Sequence, residues 1–139
     1  MSNRIEQTLH TPVARDRLRL AFSTLRSYGI EARVTEGEDP ESELDRLLKE
    51  IHREFPSATG CRLIMLESEL SGFDQAGEMT RPVMIHFAGT GVLRAARAAL
   101  DRADLGVIET GDGSSALVFD RLAPSGATGK GSVLAGLEQ

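Results

Sequence analysis

Two clusters of residues in this chain have the types and spacing to do chemistry, and a glycine turn could hold a ligand. His86 lies in a run with period two, opposite Val83, Ile85 and Phe87. A histidine titrates near neutral pH, so it could serve as a base beside the carboxylates of Glu67 and Glu69. Glu67, Glu69, Asp74 and Glu78 gather in one aperiodic stretch and are the kind of oxygen donors that hard cations take, but the calcium-loop spacing is absent. Gly89-Thr90-Gly91 turns a predicted strand into a predicted helix, where free N–H groups can face an anion. It lacks the three-glycine dinucleotide spacing and the lysine of a phosphate loop. Gly129-Lys130-Gly131 fails the phosphate-loop pattern too, because Pro124 stands where its first glycine belongs.

The remaining reactive residues are isolated. Cys61 is the sole cysteine, so an internal disulfide and a paired-cysteine metal site are excluded, and it opens an apolar strand with no adjacent base. His10, His52 and His86 share no ligand spacing. No metal and no cofactor is expected.

These residues must be carried by a small α+β scaffold. The stretch from Arg81 to Phe119 reads as strand, glycine turn, helix, strand, hairpin and strand. Thr90 is placed to cap the helix, Gly106 to end it, and Asp112-Gly113 to form a two-residue hairpin turn. Upstream, Thr11-Pro12 predicts a helix start, with Ala14, Leu18, Ala21, Phe22 and Leu25 on the buried side and Gly29 as its stop. Ile30 to Thr35 alternate as a strand. Asp39 and Pro40 open the clearest helix, whose stripe is Leu44, Leu47, Leu48, Ile51 and Phe55. Cys61 to Leu66 form a dense apolar strand, followed by a loop over 67–80 with an extended Glu67 to Leu70. The order α–β–α–β–β–α–β–β contains a β–α–β–β–α–β core, which predicts a two-layer ferredoxin-like sandwich with an added N-terminal helix and C-terminal strand. Residues 1–10 read as a polar leader, 11–121 as one domain, and 122–139 as a flexible or partner-docking tail in which Val133, Leu134 and Leu137 could dock.

Composition narrows the partners. With 40% apolar residues in 139, one domain can bury a core unaided. A formal charge of -5, no tryptophan and a single tyrosine disfavour nucleic acid. No apolar run has the length of a membrane span and no signal peptide opens the chain, so a cytoplasmic protein without a membrane partner is expected. Residues 1–35 carry six arginines against three acids, whereas 36–79 carry twelve acids against four basic residues. Such segregation suits a charge-matched protein interface, for which Arg15, Arg19, Arg94, Arg97, Glu69 and Asp74 are the candidates. Leu63 and Met65, like Ile64 and Leu66, make both faces of their strand apolar. With helices on one face, the second face then needs a cover, which the first helix or a second subunit, in a homodimer, could supply.

Ala21-Phe22, Leu25 and the run Gly29-Ile30-Glu31-Ala32-Arg33 resemble the opening of an uncharacterised bacterial α/β domain family. The order of Arg62 to Glu67, Pro82 to Ala88, a helix and an extended pair is similar to that family over residues 14–120. The resemblance implies an α/β fold and no function. The family's cysteine-rich segment is replaced here by Val34-Thr35-Glu36-Gly37-Glu38, so a redox or metal role does not carry over.

Three functions remain open. The first is a non-enzymatic binding or regulatory protein, of the kind that includes immunity proteins and antitoxins. The second is a small-ligand sensor using Gly89 to Gly91. The third is a small hydrolase using His86 and the acidic loop. The first leads because every catalytic signature is weak.

Overall fold

A computed structural model describes residues 11–122. The elements are α1 (Ala14–Ser27), β1 (Glu31–Thr35), α2 (Pro40–Glu54), β2 (Arg62–Leu66), a 3-10 helix (Glu67–Gly72), β3 (Val83–Ala88), α3 (Val92–Arg102), β4 (Leu105–Glu109) and β5 (Ser115–Asp120). The leader (1–10) and residues 123–139 of the tail lie outside the described residues.

The fold is α+β. One five-stranded mixed sheet has the order β1-β2-β3-β5-β4, with β1 parallel to β2 and the other pairs antiparallel. Most of the core is a two-layer sandwich. Leu18, Phe22 and Leu25 of α1 and Val92, Ala96 and Leu100 of α3 pack on Leu63, Met65, Val83, Ile85, Phe87, Ala116 and Val118. The opposite face has a smaller cover, in which Leu44, Leu47 and Ile51 of α2 sit on Ile64 and Leu66. Strand alternation sends Leu63 to one cover and Ile64 to the other.

The strand order departs from the ferredoxin-like pairing expected from the element order. β1 stands at an edge, and β5 enters the sheet between β3 and β4 instead of being appended to it. Side-chain character accounts for both placements. Glu31, Arg33 and a half-exposed Val34 suit an edge, whereas Ser115, Ala116 and Val118 are buried and suit the interior.

Several boundaries differ from the sequence expectation for local reasons. Helical bonding begins at Val13, whose carbonyl accepts from the Arg17 N–H, while the carbonyl of Pro12 is taken by the Arg17 guanidinium; Thr11 is not the cap. Asp39 does cap α2, accepting from the Ser42 N–H at 3.2 Å, with Pro40 in the first turn. Phe55 leaves the stripe and is 64% exposed. Gly106 does not end α3. The chain turns at Asp104, with φ of 60°, and Gly106 lies inside β4, where a Cβ would meet the Phe119 ring at 2.2 Å. The hairpin loop is four residues, because Thr110 still pairs with Ser115 and the Asp112 carboxylate accepts from the N–H groups of Ser114 and Ser115. The predicted extension at Glu67 to Leu70 is a 3-10 turn, since Glu69 takes the Met84 N–H and ends the β2–β3 ladder there.

Candidate functional site

The sheet face under α2 is only partly covered. Registers define its rows. Ile64, His86, Ser115 and Thr110 cross four strands side by side, and Met84, Leu117 and Ile108 form the next row across β3, β5 and β4. Gly106 and Phe119 form a third. Of these residues only Ile64 belongs to a core cluster. Ile108 is 51% exposed. The half of this face built by β3, β5 and β4 is therefore an open surface with an apolar row beside a polar one.

The polar row holds a serine, a histidine and an aspartate, the residue types of a nucleophilic triad. Their connections differ from one. In a triad the carboxylate orients the histidine, and the histidine takes the serine proton. Here Ser115 donates directly to Asp112 at 2.9 Å and shares a 2.8 Å hydrogen bond with Thr110. The His86 imidazole has no hydrogen-bond partner among the described residues, although its backbone lies in the sheet. Ser115 is 4% exposed and bound into the turn, so its hydroxyl faces the loop that it closes. The backbone N–H of Ser114 and the hydroxyl of Ser115 hold the Asp112 carboxyl down at about 2. That stabilisation is the signature of a turn cap.

Burial lowers the pKa of His86 below 6.5, and the charges of Asp112 and Glu69 oppose the shift. It is thus a neutral, half-buried imidazole at pH 7. Glu69 is engaged elsewhere. One oxygen accepts from the Met84 N–H at 2.8 Å and from Arg81 at 3.1 Å. Glu67 is exposed at the start of the 3-10 helix. Asp74 caps its own loop by accepting from the N–H groups of Ala76 and Glu78, each at 2.9 Å. Among the described residues, no group of three or more His, Cys, Asp or Glu is placed to hold a metal ion.

The Gly89-Thr90-Gly91 turn is packed from below. Gly89 has φ of 120°, and a Cβ there would lie 2.9 Å from both the Cα and the sulfur of Cys61. Gly91, with φ of 80°, precedes the first turn of α3 and supplies the carbonyl that the Ala95 N–H reaches. Thr90 gives no side-chain cap. Its carbonyl receives the Cys61 thiol at 3.7 Å. Close packing and a left-handed turn account for both glycines.

The charged candidates divide in the same way. Arg97 donates to Glu109 at 2.8 Å and to the Val107 carbonyl at 3.3 Å. Arg19 makes an exposed pair with Asp16 at 3.6 Å. Arg15 packs its guanidinium over Gly77, whose C=O accepts from the Arg15 N–H of α1 and whose N–H donates to the Asp74 carbonyl. Arg94 is exposed on α3. Arg94 and Arg97 line a hollow of about 470 Å³ with Val107 and Phe119 at the β4 edge. A second cleft, of about 410 Å³, lies by the β1 edge, where Arg33 is paired with Glu31 and Glu50. The structure brings His86, Glu69 and Asp112 to one end of the open face and leaves Asp74, Arg15 and Arg19 elsewhere.

The residue that sequence reasoning missed outright is Arg17. It is 5% exposed and donates to Pro12, Ala103, Asp104 and Asp120. The Arg15, Arg17, Arg19 alternation reads as one solvated charge run, and only the partner at Asp120 separates the middle arginine from its neighbours.

Comparison with protein-family models, curated proteins and solved structures returns no match for this chain. No helix among the described residues is long and apolar enough to cross a membrane.

Proposed function

We propose that this protein is a non-enzymatic binding or regulatory domain, immunity- or antitoxin-like in kind, that receives a protein partner on the open half of its sheet. What supports this is the row of Ile108, exposed, with Leu117 and Met84, each half-buried, none of which belongs to a core cluster. A second copy of the chain is one such partner, as an apolar patch facing itself sets no like charges against each other. Burying a wholly exposed side chain of this size contributes roughly 1.5–3 kcal/mol before ordering costs, and each of these three, already partly covered, contributes a fraction of that. Three of them are enough to nucleate an interface whose rim would include His86 and Thr110.

Two experiments together test it. Sedimentation equilibrium reads association of the chain with itself, and quantitative capture from a cell extract reads other proteins. Ile108→Glu and Leu117→Glu should each reduce whichever association the native chain shows, by at least tenfold, while the folded spectrum is kept. A chain that neither self-associates nor captures any protein that these variants lose would defeat the proposal. Turnover of a small substrate that depends on His86 would replace it with the hydrolase reading.

A further inference from the structure

Both edges of the sheet are occupied by an arginine from the helix immediately before the edge strand. At the β1 edge, alternation turns the N–H and C=O groups of Ala32 and Val34 outward, because the Glu31 N–H is bonded inward to Cys61. The outward carbonyl of Ala32 is taken by Arg26, from the last turn of α1, at 2.6 Å. At the β4 edge, the Thr110 N–H bonds inward to Ser115, so Val107 and Glu109 point outward. The outward carbonyl of Val107 is taken by Arg97 of α3 at 3.3 Å, and the same guanidinium holds the Glu109 carboxylate at 2.8 Å. Each arginine leans across the rim that an added strand would have to occupy. An unpaired edge is a template for an extended segment, and a charged group covering it is a known protection.

We propose that Arg26 and Arg97 are edge latches: they hold shut two surfaces whose fitting partner is an extended strand, including an edge strand from a second copy of this chain. The bonding is local in both cases. Six residues separate Arg26 from Ala32, and ten separate Arg97 from Val107. A latch therefore forms as its own helix–strand unit forms, before any neighbour can add. Docking on the open face needs neither latch to move, so the two kinds of association are independent.

The test uses the full chain with Arg26→Met and Arg97→Met, singly and together. Methionine keeps an apolar stem over the strand and removes the donors. Sedimentation velocity over a concentration series reads association, and amide hydrogen exchange locates it. The double variant should gain mass with concentration relative to the native chain. The outward amides of Ala32, Val34, Val107 and Glu109 should exchange more slowly as it does so. Docking on the face would leave those four amides unchanged, which separates this result from the fate of the binding-domain proposal. A folded double variant that sediments like the native chain overturns the latches. So does association without protection of those amides, or equal association by Arg19→Met, which removes an exposed α1 charge away from the edge. If the double variant does not fold, the two single variants decide on the same readouts.

Discussion

Arg17 ties three parts of the chain to one guanidinium: the segment before α1, the turn after α3, and the end of β5. Its pair with Asp120 has side chains only 7% and 4% exposed, at 2.9 Å. Removing one member of such a pair leaves a buried charge without its counter-charge, which typically costs about 3–5 kcal/mol. Asp120→Ala should therefore lower the unfolding free energy read from a denaturant titration by an amount in that range. Arg19→Met, two residues from Arg17 on an exposed surface, should change it by less than about 1 kcal/mol. His86 offers a second test at the same scale. Its native pKa lies below 6.5, so the unfolded chain takes up a proton first as the pH falls. Stability is then unaffected by this group above pH 6.5 and declines as the pH drops from 6.5 toward the lowered native value. Melting temperature against pH should show that slope, and His86→Gln should flatten it. The alternation that put His86 opposite Ile85 and Phe87 was readable in the sequence. Its lack of a partner was not, because that depends on Ser115, 29 positions later, being held by Asp112 instead.

At the scale of elements, the turn into α3 separates two roles of glycine. A side chain at Gly89 would meet the Cys61 backbone as well as adopt a positive φ, whereas the space beside Gly91 is open. Gly91→Ala should cost about 1–2 kcal/mol for the left-handed backbone alone. Gly89→Ala should cost that and a further ~1–3 kcal/mol for overpacking against a strand that cannot easily retreat. Thermal unfolding of the two variants checks the order; equal losses would mean that Cys61 gives way. Among the described residues, the three α-helices and five strands were legible from periodicity, and Asp39 with Pro40 marked one helix start correctly. The misplaced stops share a cause. Gly106 reads locally as a helix end, but its missing side chain serves the Phe119 ring on another strand. Thr90 reads as a cap, but its carbonyl is turned toward Cys61. Local residue types state what a position can do, and contacts made across the sheet decide which of these it does.

For the whole molecule, the open half-face and the two edges spanned by Arg26 and Arg97 are the surfaces on which both proposals rest. A partner arriving at the face meets side chains, and one arriving at an edge meets a guanidinium already bonded to the backbone. The sequence announced that both faces of β2 were apolar and needed cover. It did not announce that α2 would supply only half of that cover. Whether the strand after α3 lies beside β3 or one place further out depends on pairing between segments distant in sequence, which alternation does not encode. The element order permitted a ferredoxin-like arrangement, and the buried character of Ser115 to Val118 drew β5 inward.

That inward placement has a consequence for synthesis. A ribosome releases β3 and β4 before β5, yet neither has the other as its neighbour in the finished sheet, and only a short hairpin loop parts β4 from β5. Until residue 120 emerges, β4 has no strand to join, and β3 has a partner only on its β2 side. The nascent chain can assemble β1, α2, β2 and β3 in order, whereas β4 reaches the sheet only as the outer strand of the β4–β5 hairpin, which joins β3 through β5. During that interval the inner rim of β4, and not its latched outer rim, is the unprotected one. A strand rim left without its neighbour is the kind of surface through which a partly assembled chain sticks to others.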